Sequence, residues 1–162
     1  MRTRIISLIV IAMTTLSMNV QAQDSSTDKK VLVAYFSRSG NTRAVADHIK
    51  SLTGGDMFEI QVAKPYPEEY HACTEVAKKE KEDNARPTLK TKVENMASYD
   101  VNGKVVIPFC THGGGGEQNC FKDFVKHIGK ADSKQGFLIG GGQASSARPQ
   151  VESWLKGLKL IQ

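Results

Sequence analysis

Residues 37–42, with the sequence SRSGNT, combine side chains that favour the binding of a small anion. Their hydroxyl groups can donate hydrogen bonds, and Gly40 lets a ligand come close to the backbone. The apolar run VLVAYF precedes this segment and a helical pattern follows it, so the loop leads from a strand into a helix. Helix N-termini carry unpaired N–H groups and a partial positive charge. The pattern therefore predicts a phosphate-binding loop, with a plain helix cap as the alternative.

A second candidate segment, CTHGGGG at residues 110–116, follows the strand pattern KVVIPF. Its glycines allow close approach of the backbone to a ring or a phosphate. Cys110 and His112 also raise the alternative of a thiol–imidazole pair for nucleophilic catalysis. The sequence offers no third group to orient the imidazole, so we favour a ligand-facing loop and expect no catalytic residue here.

Strand and helix patterns alternate along the chain and must position these two loops. Residues 30–36 predict a strand buried on both faces, and residues 57–63 predict a strand near an edge. This alternation indicates an α/β fold with an open parallel sheet and helices on both faces. The remaining predicted elements are a helix over 41–53, a helix from Pro67, the strand KVVIPF, a helix over 121–128, the strand GFLIGG and a helix from Pro149. The segment GGGQASSARP at residues 140–149 reads as a connector between the last two of these, with a ligand-facing loop as the alternative.

Residues 1–22 have the three-part pattern of a secretory signal peptide. Two arginines precede the apolar run IISLIVIAM, which is too short to span a bilayer, and Val20 and Ala22 suit a cleavage site. We expect cleavage after Ala22, a polar leader at residues 23–29 and one domain at residues 30–162. The mature protein would be periplasmic or secreted, without a stable membrane span. An uncleaved signal would instead tether it to the membrane.

Charge and cysteine content exclude several functional classes. Cleavage would reduce Lys and Arg from 22 to 20 against 17 Asp and Glu, which leaves a net charge of only +3. No nucleic-acid motif accompanies this small excess, and no spacing predicts a metal site.

The three cysteines of an exported chain can form at most one intramolecular disulfide. Cys73 and Cys120 lie in helical patterns, where we expect small core residues.

The order VAYFSRSGNTRAVADHI resembles the first strand, phosphate loop and first helix of flavodoxins, whose loop reads hydroxyl–x–hydroxyl–Gly–Asn–Thr. The segments YPEEYHACTEVAKKEKEDNARP, ENMASYD and GKVVIPFCTHGGGG resemble later parts of a flavodoxin subgroup of bacterial flavoproteins. The resemblance covers nearly all of residues 30–160 and implies FMN as cofactor. Residues that it implies for the phosphate are Ser37, Arg38 at the loop tip, Ser39, Gly40, Asn41 and Thr42. Residues that it implies for the isoalloxazine side are Thr111, His112, Gly113 and Gly114.

The sequence departs from that subgroup after ENMASYD. There a third strand, a Pro/Trp-bearing loop that packs on the flavin and a helix come before the segment GK, whereas here SYDVNGKVVIPF continues directly. A deletion between two YD repeats is one hypothesis for this difference. It predicts a sheet reduced to four strands, in which KVVIPF pairs directly with VLVAYF. The alternative is that a second chain fills the gap in a homodimer.

The resemblance implies an electron carrier that works with a redox partner protein or with a small-molecule donor or acceptor. A flavin does the redox chemistry of such a protein, so no catalytic side chain is expected. Two alternatives remain open at the sequence level. One is a non-redox module that keeps only the phosphate site, and the other is an FMN-dependent reductase of a small substrate such as a quinone.

Overall fold

The computed structural model describes residues 30–90 and 101–162. The predicted signal peptide, the predicted leader and the segment ENMASYD lie outside the described residues. Strands of four residues are separated by helices, as the alternating pattern predicts. The elements in chain order are β1 Leu32–Tyr35, α1 Asn41–Thr53, β2 Asp56–Glu59, α2 Tyr70–Glu82, β3 Val105–Val106, β4 Phe109–His112, α3 Cys120–Val125, β5 Asp132–Ser133, β6 Phe137–Gly140, a 3-10 helix Gly141–Ser146 and α4 Arg148–Gly157.

The hydrophobic core lies between the strands and the helices α1 and α4. Val45 of α1 and Val151 and Leu155 of α4 are fully buried, and they pack in one cluster with side chains of β1 and β6. Helical spacing of apolar residues in both helices produces the stripes that form this cluster. The core therefore holds the N-terminus of α1, and with it residues 37–42, at the end of β1.

The strands of the described residues pair in three parallel ladders rather than in one continuous sheet. β1 pairs with β2, β3 with β5, and β4 with β6. In the described residues, 30–90 and 101–162, no ladder joins β1 to β4. The predicted direct pairing of KVVIPF with VLVAYF is therefore wrong for these residues. Both strands pack against α1, so this helix contacts the two strands where no backbone ladder joins them.

The predicted strand KVVIPF is divided in two. β3 ends at Val106, Pro108 is buried between the pieces, and β4 begins at Phe109 and continues to His112. Proline has no N–H to donate to a ladder, which explains the break. Because β4 extends to His112, it carries two of the predicted site residues at its C-terminal end.

Two predicted helices differ from the structure in their bounds. α2 begins at Tyr70 rather than near Pro67, because the Glu69 carboxylate accepts hydrogen bonds from the backbone N–H groups of His71 and Ala72 at 2.7 and 2.5 Å. These bonds also lower the pKa of Glu69. α3 ends at Val125, three residues before its predicted end.

One face of β1 is uncovered, although the sequence predicts burial on both faces. Val33 and Tyr35 are buried, whereas Leu32 remains 43% exposed and Ala34 is exposed too. Neither α2 nor α3 contributes a buried residue. Among the described helices, none is long and apolar enough to cross a membrane.

Candidate functional site

The loop 37–42 forms a cradle at the C-terminal end of β1. Gly40 adopts a left-handed backbone conformation with φ of 87°, and α1 begins at Asn41 without a side-chain cap. The first bond of the helix runs from the Ala44 N–H to the Gly40 carbonyl at 2.9 Å. The N–H groups of residues 41–43 therefore precede the hydrogen-bonded part of α1, where the helix dipole favours an anion.

The side-chain hydroxyl of Ser37 is a buried polar group of the cradle. Its Oγ atom is buried and has no hydrogen-bond partner within the described part of the chain. A buried hydroxyl without a partner is unfavourable by about 1–3 kcal/mol. Proteins tolerate such atoms mainly where a ligand, ion or water completes the hydrogen bonding. The atom is therefore a candidate contact for a polar ligand inside the cradle.

Arg38 lies within the cradle and Arg43 directly follows it, and both side chains are held by other groups. Arg38 donates from Nη1 to the backbone carbonyl of Glu68 at 2.8 Å. Arg43 is ion-paired with Glu59 of β2, and this hydrogen-bonded pairing raises the pKa of Arg43. Arg38 therefore adds positive charge to the cradle and ties the loop to Glu68, whereas Glu59 compensates the charge of Arg43 and ties α1 to β2.

The structure brings the two predicted site segments together. The Thr42 and Thr111 hydroxyl oxygens lie 2.9 Å apart in a hydrogen bond that joins α1 to β4. On the same side, a Cβ atom added to Gly141 would come within 2.5 Å of Asn41 Nδ2. The segment 140–149 therefore approaches the cradle at its first residues, although the sequence favours a connector. The glycine run 140–142 was the signal for that approach.

The loop after β4 supplies an open surface beside this contact. The Gly114 N–H donates a hydrogen bond to His112 Nδ1 at 3.1 Å. Nδ1 is therefore the acceptor, and the imidazole stabilises the conformation of the loop. Added Cβ atoms at Gly113 and Gly114 would meet no atom within 4 Å, and Gly114 has a φ of 122°. Backbone without side chains can thus face a flat ligand here.

A cavity of about 630 Å³ adjoins the cradle. Its lining includes Ser37, Arg38 and the aromatic residues Phe36 and Tyr66, whose ring centroids are 5.8 Å apart in an edge-to-face arrangement. The Tyr66 hydroxyl donates to Glu80 at 2.6 Å, and this bond raises the pKa of Tyr66 to about 12. Sequence reasoning missed this aromatic pair, because the two residues are separated by 30 positions.

The thiol–imidazole alternative finds no support in the geometry. The Cys110 thiol donates to the Thr111 carbonyl at 3.4 Å, while His112 Nδ1 is occupied by Gly114. Burial, followed by the neighbouring Cys120 thiol, raises the pKa of Cys110 to about 11, and this opposes formation of a nucleophilic thiolate. Within residues 30–90 and 101–162, no three metal-ligating side chains cluster together.

Comparison with known proteins decides the family. The sequence pattern of the family described as flavodoxin matches residues 30–102 and 87–158, which together span most of the chain. The chain belongs to the flavodoxin family. The two matched segments share residues 87–102, so the family pattern does not run through this flavodoxin once without interruption. Loss of a unit between two similar short sequences would give such an overlap, and that loss stays a prediction.

Two solved structures of Bacteroides proteins confirm the α/β open-sheet fold of the flavodoxin type. A Bacteroides uniformis protein assigned as a flavoprotein has 28% identity and a TM-score of 0.67, with 79% of this chain and 98% of that chain covered. A Bacteroides eggerthii protein with the same assignment has 26% identity and a TM-score of 0.66, with coverage of 80% and 98%. A Lactobacillus acidophilus flavoprotein in complex with FMN has 19% identity and a TM-score of 0.48, with coverage of 80% and 87%. No curated protein matches the sequence.

Proposed function

We propose that this flavodoxin binds FMN through the cradle at residues 37–42 and acts in electron transfer. The observation that carries the proposal is the buried Ser37 hydroxyl, which has no partner in the described part of the chain. A phosphate oxygen would accept the hydrogen bond that Ser37 Oγ does not make. Membership of the flavodoxin family supports FMN as the source of that phosphate.

The rest of the cradle suits a phosphate group. Ser39 and Thr42 carry further hydroxyl groups, and the N–H groups of residues 41–43 lie at an uncapped helix N-terminus. Charge-assisted hydrogen bonds to such donors are about twice as strong as neutral ones. The positive φ of Gly40 turns the chain so that the donors can converge.

The flavin side is proposed at residues 111–114. When bound, FMN supplies the redox chemistry, and the protein contributes binding, orientation and electrostatics. The Thr42–Thr111 hydrogen bond places this loop next to the cradle. Because Gly113 and Gly114 have open space before them, a planar ring can approach their backbone. His112 holds the loop in shape through its bond from Gly114.

The test compares FMN with riboflavin, which has the same ring system but no phosphate. Ser37→Ala should weaken FMN binding about 10- to 100-fold, the range expected for a lost hydrogen bond to a charged group. Riboflavin affinity should change little in the same variant. Flavin fluorescence quenching measures both affinities. Ser153→Ala, which removes a hydroxyl from an exposed position of α4, is the matched control.

Equal losses for FMN and riboflavin would place the phosphate elsewhere. Absence of flavin binding by the folded wild type, with retained binding of a simple organic phosphate, would favour the non-redox module. The observation that favours the non-redox module is that no ladder joins β1 to β4 in the described residues. A reductase would reveal itself by catalytic turnover of a quinone with a nicotinamide donor, which a pure carrier does not sustain.

We further propose that the protein works outside the cytoplasm. The support is the signal-peptide pattern of residues 1–22. N-terminal sequencing of the protein recovered from the native cell envelope and culture medium tests this, with Gln23 expected as the first residue. A mature protein that begins at Met1 in the cytoplasmic fraction would refute it.

A further inference from the structure

Two of the three cysteines lie at the ends of one loop. Cys110 is the second residue of β4, Cys120 is the first residue of α3, and the glycine-rich segment 111–119 joins them. Cys73 lies on α2 instead. All three thiols are free in the structure. Sequence patterns predict Cys120 to be a core residue, and the structure shows this to be wrong because its side chain is exposed.

Contacts at the start of α3 bring Cys120 back towards β4. The ring of the adjacent Phe121 lies close to Gly136 and near the Pro108 carbonyl, so that a Cβ atom added to Gly136 would fall 2.7 Å from the ring. Pro108 and Gly136 directly precede β4 and β6. The first turn of α3 is thus packed beside the strand that carries Cys110.

Glu117 fixes this return of the chain. Its carboxylate accepts a hydrogen bond from the Phe121 N–H at 2.8 Å, and its carbonyl accepts one from the Cys120 N–H at 2.9 Å. The Cys120 thiol lies close enough to Cys110 to raise the pKa of Cys110, and Glu117 raises it as well. Cys110, Cys120 and Glu117 of the loop therefore form one cluster.

We propose that Cys110 and Cys120 form a disulfide that closes the loop 111–119 against β4. The different exposure of the two thiols sets the order of the chemistry. Cys120 is exposed and can attack a low-molecular-weight disulfide such as oxidised glutathione, while Cys110 is partly buried beside it. Disulfides require Cα atoms about 4.4–6.8 Å apart, and the loop contains several glycines that let its ends adjust.

Oxidised glutathione accepts both electrons that the two protein thiols lose, so no other reactant is needed. The Cys120 thiolate attacks one sulfur of oxidised glutathione, a protein–glutathione disulfide forms, and one reduced glutathione leaves. The Cys110 thiolate then attacks the Cys120 sulfur, the second reduced glutathione leaves, and the two electrons lost by the protein thiols have reduced one glutathione disulfide. Because burial raises the pKa of Cys110, the second step should accelerate as the pH rises from 7 to 9.

The proposed disulfide would restrict the conformation of the loop that contains residues 111–114. Residues 111–114 lie inside the ring that the disulfide would close. Gly114, Gly116, Gln118 and Asn119 in this segment have positive φ, a combination that only a limited set of loop conformations provides. A cross-link between the two ends would hold those conformations without touching the cradle at residues 37–42. This inference does not depend on FMN binding.

Peptide mapping of the wild-type protein tests the proposal. The folded protein is equilibrated with an equimolar mixture of oxidised and reduced glutathione, free thiols are alkylated, and the protein is digested with trypsin. Lys104 and Lys122 bound one peptide, 105–122, that contains both Cys110 and Cys120. We expect this peptide to be lighter than its dithiol form by two hydrogen atoms, and Cys73 to be alkylated. Cleavage at Glu117 should leave two pieces joined by a disulfide.

Single serine variants provide the matched controls. Cys110→Ser should leave a fraction of Cys120 as a mixed disulfide with glutathione, because no second thiol completes the exchange, whereas Cys73→Ser should form the internal disulfide as the wild type does. Alkylation of both cysteines in peptide 105–122 of the wild type would overturn the proposal. So would glutathione on Cys120 with Cys110 still alkylated, or a disulfide that includes Cys73.

Discussion

The hydrogen bond between Thr42 and Thr111 allows a quantitative test of how the two site segments are joined. Its oxygens are 2.9 Å apart and partly buried, and the residues are 69 positions apart in sequence. Replacing either threonine by valine keeps the side-chain shape and removes the hydroxyl. Each single variant leaves the other hydroxyl without its partner, and we expect each to lower the free energy of unfolding by about 1–2 kcal/mol.

The double variant should be less destabilised than the sum of the singles. Once one hydroxyl is gone, removing the other eliminates an unsatisfied polar group, so the expected coupling is about 1 kcal/mol. Urea unfolding followed by circular dichroism measures all four free energies, with the m-value as a check on two-state behaviour.

Additive effects at constant m-value would refute the reasoning. They would mean that each hydroxyl is satisfied by water and that β4 is held next to α1 by apolar packing alone. Thr74→Val gives a reference for the method, because the Thr74 hydroxyl bonds locally to the His71 carbonyl and should show no coupling with Thr111→Val.

Three further predictions concern the cradle, the core and an aromatic neighbour. Ser39→Ala combined with Thr42→Ala should weaken FMN binding at least tenfold more than Cys110→Ser, measured by fluorescence titration; equal effects would argue against a phosphate at that loop. Leu155→Ala should lower the free energy of unfolding by about 2–5 kcal/mol because its side chain is fully buried, and a loss under 1 kcal/mol in urea unfolding would contradict the core assignment. Tyr66 keeps its proton in the folded state up to about pH 12, above its ordinary pKa of 10.0, so stability should fall as pH rises through that interval and fall less steeply in Tyr66→Phe. Identical slopes of stability against pH would show that the Glu80 bond is not maintained in solution.

Sequence reasoning was most successful where local chemistry decides the structure. Helix α1 runs from Asn41 to Thr53 as its periodicity and the following glycines predict, and Gly40 takes the conformation that the loop needs. The contact of Thr42 with Thr111 is a different matter, since it depends on how β4 packs against α1. No local pattern carries that information, and only the resemblance placed the two segments at one site.

The failures also have physical reasons. Pro108 divides a run that looked like one strand, because its missing N–H outweighs the apolar pattern around it. Leu32 is exposed although it belongs to a continuous apolar run, because burial depends on which helices cover a strand. Helix α2 begins after Glu69 rather than near Pro67, because the Glu69 carboxylate accepts two hydrogen bonds from backbone N–H groups of the first turn.

The separation of the β1–β2 ladder from the β4–β6 ladder affects how a ligand is held. The cradle follows β1 and the glycine loop follows β4, so the proposed ligand would touch two units that share no backbone ladder among the residues that the structure describes. Packed layers of this kind can slide by small shear displacements. A ligand that contacts both units would restrict that sliding, and the lost conformational entropy would reduce its affinity. Flavin binding in this protein would then be weaker than its individual contacts suggest, and it would also make the domain more rigid.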